Sequence, residues 1–172
     1  MIFFTADCHF DHQNIIKYTH RPFTNTDEMN QVMLDNWNAV VEQNDTVYIL
    51  GDFVFRSRKD TYDRFLSKLN GKKILIKGNH DKEALNLQKK YNYFEEIKFY
   101  EELRVPEFEQ KICLFHYPIE NWNGKHNGSV HLHGHSHGST PKQKNRFDVG
   151  VDVFGFKPIS IEELKNYVET QV

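Results

Sequence analysis

A chain of 172 residues with 38% hydrophobic and 27% charged residues has the length and apolar content for one full core, and residues 1–172 read as a single domain. No apolar run is long enough to span a membrane, and two cysteines without a CxxC spacing, Cys8 and Cys113, argue against a disulfide framework or a thiolate zinc site and read as packed thiols. The formal net charge of -2 gives no bulk attraction to nucleic acid, whereas ten histidines are an outlying number of a residue that ligates metals and titrates near neutrality.

The first apolar run, 2–5, starts directly after Met1 and is soon followed by Asp7, so no cleaved leader is expected and a cytoplasmic location is. A helix entered through Thr26, with Asp27 and Glu28 in its first turn, aligns Met29, Met33, Trp37, Val40 and Val41 on one face. A strand at 46–50, a helix at 60–69 closed by Asn70-Gly71, a strand at 73–76 and a helix at 82–91 follow. From Tyr93 the pattern turns strand-rich, with one or two strands within 94–105 and others at 112–115, 130–132 and 147–151. Ser160 and Glu163 form a capping box that starts a C-terminal helix. Strands alternating with helices indicate an α/β domain.

Polar residues of one kind follow the strands: Asp7-Cys8-His9, Gly51-Asp52, Gly78-Asn79-His80-Asp81, His116 and Gly134-His135-Ser136-His137. Ligands bind at the carboxyl ends of strands in α/β sheets, so five loops distant in sequence are expected to share one crevice. Asp7 with His9, and His135 with His137, are two apart, and extended backbone would turn each pair to the same side and Cys8 away. Two aspartates, four histidines and an asparagine suit manganese, iron, zinc, cobalt or nickel better than calcium. Seven such side chains exceed one tetrahedral site; if one carboxylate bridges, they supply four positions on each of two ions.

In this order the blocks D-x-H, G-D, G-N-H-D, a lone His and G-H-x-H resemble the calcineurin-like metallophosphoesterase superfamily, and specifically its small stand-alone bacterial and phage members. The resemblance runs from Asp7 to His137. It implies a layered α/β/β/α sandwich in which two packed mixed sheets are flanked by helices, with two divalent ions, manganese first and iron, zinc, nickel, cobalt or magnesium as alternatives. It implies one metal on Asp7, His9, Asp52 and His137, another on Asp52, Asn79, His116 and His135, and Asp52 as the bridge. A metal-activated hydroxide would attack phosphorus, His80 would act as general acid or phosphate stabiliser, and Asp81 would help orient His80.

The protein serine/threonine phosphatases of that superfamily carry G-D-x-V-D-R-G, and here Phe55 replaces the second aspartate, which disfavours a phosphoprotein substrate. The expected substrate is a phosphate ester of a small molecule or nucleotide, more readily a diester; a nuclease acting on nucleic-acid ends and a non-catalytic metal-dependent binding module are the alternatives. His12, Asn14 and Arg56 are candidate substrate contacts, and Arg21, Trp122, Lys125 and His126 stand in loops that could rim the crevice. His131 and His133 read as core histidines or as supports of the metal ligands.

Overall fold

A computed structural model describes residues 1–56, 58–106 and 108–170; Ser57 of the Gly51 block lies outside the described residues. The strands β1 (Ile2–Thr5), β2 (Thr46–Ile49), β3 (Lys72–Ile76) and β4 (Glu96–Lys98) run parallel in the sheet order β4-β3-β2-β1-β9. A two-residue strand, β9 (Ile159–Ser160), closes that sheet antiparallel to β1. The second sheet, in the order β5-β6-β7-β8, contains β5 (Tyr100–Val105), β6 (Phe108–Phe115), β7 (Val130–His133) and β8 (Arg146–Asp148). Here β6, β7 and β8 are parallel and β5 is antiparallel to β6, so both sheets are mixed.

Strand alternation builds two cores. Phe3, Val47, Ile49 and Leu75 face one way, against α1 (Gln13–Tyr18), α2 (Thr26–Val40), α3 (Lys59–Leu66) and α4 (Ala84–Tyr91), which contribute Ile15, Met29, Met33, Trp37, Tyr62 and Phe65. Phe4, Leu50 and Ile76 face the other way and meet Ile112, Leu114, Val130, Leu132 and Phe147 of the second sheet. The C-terminal helix α5 (Ile161–Thr170) adds Ile161, Leu164 and Val168 to this inter-sheet core. Full burial of each large apolar side chain contributes roughly 1.5–3 kcal/mol, and a one-residue register slip in β1 or β2 would exchange the two cores. This is the layered α/β architecture with helix-flanked sheets expected above.

Several boundaries differ from expectation. The 94–105 region holds two strands, and 147–151 contains strand only to Asp148, after which Gly150 makes an isolated bridge to Ala6. Helix α1 and strand β9 were not expected, because six and two residues are too short to establish a period. Asn25, not Thr26, caps α2: its side chain accepts from the Glu28 amide at 2.9 Å. Ser160 and Glu163 do form the reciprocal box, with Glu163 N–H donating to Ser160 Oγ at 3.1 Å and Ser160 N–H donating to Glu163 at 2.9 Å.

Candidate metal centre

The loops after β1, β2, β3, β6 and β7 meet at the carboxyl edge of the two sheets and are laced by backbone hydrogen bonds. Asp7 N–H donates to Gly51 O at 3.0 Å, His9 N–H to Asp52 O at 2.9 Å, Gly134 N–H to His116 O at 3.0 Å and Val151 N–H to Ala6 O at 3.0 Å. Glycine is required where two of these loops touch: a Cβ on Gly51 would lie 2.7 Å from Gly78 Cα, and one on Gly78 would press on the Asp52 carboxylate.

This packing gathers the predicted ligands into two groups. Asp7, His9 and His137 each bring a ligand atom within 4.8 Å of the others, and so do Asp52, His116 and His135. Asp52 Oδ2 lies between the groups, 3.7 Å from His9 Nε2 and 3.6 Å from His116 Nε2. Asn79 Oδ1 is 3.0 Å from His116 Nε2. Since His116 Nδ1 faces Leu50 O at 2.7 Å, that nitrogen carries the proton and Nε2 turns its lone pair toward the oxygens of Asn79 and Asp52. Lone pairs converging in this way are stable around a cation.

Two polar atoms also fit a cation. Asp7 Oδ1 and His9 Nδ1 are buried with no hydrogen-bond partner, a costly state in an apolar interior. Burial, then the neighbouring charges of Asp148 and Asp52, push the Asp7 carboxyl well above the usual carboxylate range, and burial pushes His9 well below the usual imidazole value. A divalent ion held by both would favour the ionised carboxylate and would accept the neutral imidazole as a ligand.

The ligand backbone is not extended as the two-residue spacing suggested. Asp7, His9, Asp52, His135 and His137 have φ of 55°, 50°, 54°, 68° and 47°, all in the left-handed region. Such non-glycine residues cost of order 1 kcal/mol each and persist where surrounding contacts over-determine them. The side chains converge because the chain kinks at each ligand, while Cys8 between two kinks turns into the helix-side core.

A family model described as calcineurin-like phosphoesterase matches residues 1–148. The chain belongs to the calcineurin-like phosphoesterase family. An uncharacterized protein of Methanocaldococcus jannaschii is 36% identical over 178 aligned residues, covering 98% of this chain and 91% of its own. The gene 66 protein of Mycobacterium phage L5 is 27% identical over 193, covering 96% and 92%. A solved structure of a protein of unknown function from Aquifex aeolicus has the same fold, with a TM-score of 0.73, 29% identity and coverage of 97% and 98%. Family membership implies a hydrolase that uses divalent ions, and the two aspartate–histidine groups are where this chain can hold metal. No helix among the described residues is long and apolar enough to cross a membrane.

His80 is half-buried, its ring edge-on to His9 at 5.2 Å between centroids, and its N–H donates to Asp52 Oδ1 at 2.8 Å. Asp81 is fully buried and accepts from the amides of Asp52, Phe53 and Gly78, so what it positions is the backbone of both loops. His12 precedes α1 and stacks on Phe55 at 4.0 Å; its ring lies 6.3 Å from His80, and its buried Nδ1 has no partner. Asn14 is exposed on α1, and exposed Arg56 covers the Phe55 ring at 5.3 Å.

Arg21 and Trp122 are not rim residues. Trp122 is buried against His131, and its indole N–H donates to Ser129 O at 3.1 Å. Lys125 lies over that indole at 5.0 Å, and His126 sits in the adjoining short 3-10 helix, Lys125–Asn127. His131 bridges Cys113 O and Tyr117 O beneath this loop, a core role. Sequence reasoning missed Asp148, which accepts from Ser136 Oγ at 2.8 Å and Gly138 N–H at 2.9 Å, and Asp152, which accepts from His137 Nδ1 at 2.8 Å. Asp148 ends β8, and Asp152 directly follows the expected 147–151 strand, so the strand-end rule that found the ligands would have flagged Asp152.

Proposed function

We propose that this chain is a dinuclear-metal-dependent phosphoesterase that hydrolyses a phosphodiester of a small molecule or nucleotide. The observation that carries the reading is Asp52 Oδ2 standing within 3.7 Å of a histidine from each of two separate ligand groups. A carboxylate so placed could be shared by two ions, of which Asp7, His9 and His137 would hold the first and Asn79, His116 and His135 the second. The nitrogen-rich donor set suits manganese or a similar transition ion. Bound divalent ions supply activation of water and polarisation of the phosphoryl oxygens.

The chain's own residues supply the rest. Asp7 and Asp52 offset the cationic charge only in part, leaving the centre attractive to an anionic phosphate. His80 packs edge-on against His9 of the first group, where an imidazole can hold a phosphoryl oxygen or deliver a proton to the departing alkoxide. The His12 ring lies 6.3 Å from that of His80, exposed Arg56 covers the Phe55 ring on which His12 stacks, and Asn14 follows on α1; these three are the proposed substrate contacts.

The test is a panel of chromogenic mono- and diesters assayed on metal-free protein and after loading with manganese, nickel, zinc or magnesium. The expected result is no turnover without metal and highest kcat/KM on a diester with manganese. Full activity in excess chelator would overturn the metal-dependent reading, and a monoester optimum would overturn the diester assignment.

A further inference from the structure

The first ligand group is built around a buried cation that is not at the substrate edge. The Arg21 side chain is fully shielded from solvent, which is costly for a guanidinium unless all of its donors are paired. Its five N–H groups find five acceptors. Nε and Nη2 grip Asp152 Oδ1 and Oδ2, both at 2.8 Å; Nη2 also reaches Asp7 O at 2.8 Å, and Nη1 reaches Cys8 O at 3.0 Å and Met29 Sδ at 3.4 Å. Asp152 Oδ2 in turn receives His137 Nδ1–H at 2.8 Å.

We propose that Arg21 and Asp152 are positioning residues for the first metal site, acting together to aim its three non-bridging ligands; this rests on the two-metal reading above. One guanidinium fixes the carbonyl of Asp7 and that of Cys8, whose next residue is His9, at the segment where both ligands adopt left-handed backbone. Through Asp152 it also fixes the ring of His137. The Asp152–His137 bond selects the tautomer with the proton on Nδ1, leaving Nε2 as the ligand atom, and an anionic acceptor makes that nitrogen a stronger donor. Among the described residues His116 of the second site has no such ion pair behind it: its Nδ1 is opposed by the neutral carbonyl of Leu50. The two sites are therefore unequal by construction. The ligating histidine of the first is backed by an ion pair, whereas His116 of the second is backed by a main-chain carbonyl. The chain spends its α1-to-α2 connection and the turn after β8, 131 residues apart, on this single contact.

The measurement is manganese binding to metal-free protein, followed by calorimetric titration and by the electron-paramagnetic signal that distinguishes a coupled pair of ions from a single one. Wild type is expected to bind two ions and to show the coupled signal. Asp152→Asn should weaken one ion by ~10–100-fold, the usual effect of removing a partner behind a ligating histidine, and leave the other unchanged, with an uncoupled signal at limiting metal. In a His137→Ala background the same change should have a much smaller effect on metal binding. If Asp152→Asn fails to fold because Arg21 is left as an unpaired buried charge, the double variant Arg21→Met/Asp152→Leu removes both charges and should give the same selective loss. Equal weakening of both ions, or wild-type affinity for both in a folded variant, would overturn the proposal. Should wild type bind one ion only, the dinuclear reading fails, while the present inference stands if the variants weaken that ion and falls if they do not. Binding of no ion by wild type would end both.

Discussion

Asp52 and Asp81 clasp each other's loops reciprocally. The Asp81 carboxylate accepts from the Asp52 amide at 2.8 Å, while the Asp52 carboxylate accepts from the amide of His80, the neighbour of Asp81, also at 2.8 Å. Asp81 takes two further amides, Gly78 at 2.9 Å and Phe53 at 3.2 Å. The proposed bridging carboxylate is thus held by the loop that carries Asn79 and His80.

Replacing Asp81 by Ala leaves three buried amides without their acceptor. An unsatisfied buried donor costs ~1–3 kcal/mol, so a loss of ~3 kcal/mol or more is expected, read as a lower urea midpoint with unchanged slope. Manganese affinity should fall with it, because both loops lose their common anchor. An unchanged midpoint would show that solvent or neighbouring groups replace the carboxylate.

Native Cys8 and Cys113 should resist thiol reagents. Burial pushes the Cys8 thiol up to about 12 and raises Cys113 as well, so little thiolate exists at neutral pH, and both side chains lie inside the fold. Ellman's reagent at pH 8 is expected to label neither until denaturant is added. Rapid labelling of one thiol in folded protein would place it at an accessible surface.

Much of the fold was legible because its signals are local. Alternating Phe3 and Phe4, or Val47 and Tyr48, mark a strand between two cores, and each strand-end motif sits within a few residues of its strand. The ligand set was read from order along the chain, and the structure gathers six of those seven residues into the two groups, with Asn79 beside His116. Asp152 apart, which directly follows the expected 147–151 strand, what escaped is set by contacts between distant segments. The left-handed backbone at Asp7, His9 and His137 is imposed by neighbouring loops: Asp and His adopt it more readily than most residues, but D-x-H does not dictate it. The Arg21–Asp152 pair joins unrelated segments, so Arg21 read as an exposed loop cation although it is 4% exposed.

The capping box at α5 gives a stability prediction with a defined pH sense. Burial counts against ionised Glu163, but Lys157 and the amide and hydroxyl of Ser160 outweigh it and hold the carboxyl below its ordinary value. A depressed folded value means that the contribution is present above the unfolded pKa, ~4.3 for glutamate, and is lost as pH falls through the folded one. Ser160→Ala is expected to cost ~1 kcal/mol at pH 7, by denaturant titration, and less at pH 3. A cost that is the same at both pH values would separate the hydroxyl cap from the carboxylate.

His80 allows catalysis to be separated from folding, because its structural tie to the site is main-chain. The backbone N–H, not the ring, donates to Asp52 Oδ1. His80→Ala should therefore keep that bond, keep both ligand groups in place and bind manganese as wild type does. If the ring delivers a proton to the leaving oxygen, a contribution usually worth ~10²-fold or more, the variant should lose at least that in kcat on alkyl diesters, whose alkoxide departs poorly unprotonated. On a nitrophenyl diester the leaving anion is stable, and the loss should be much smaller. Equal losses on the two substrates would assign the ring to holding the phosphoryl group rather than to proton transfer. Unchanged turnover on both, with metal content intact, would remove His80 from the reaction and leave its backbone as its only part in the site.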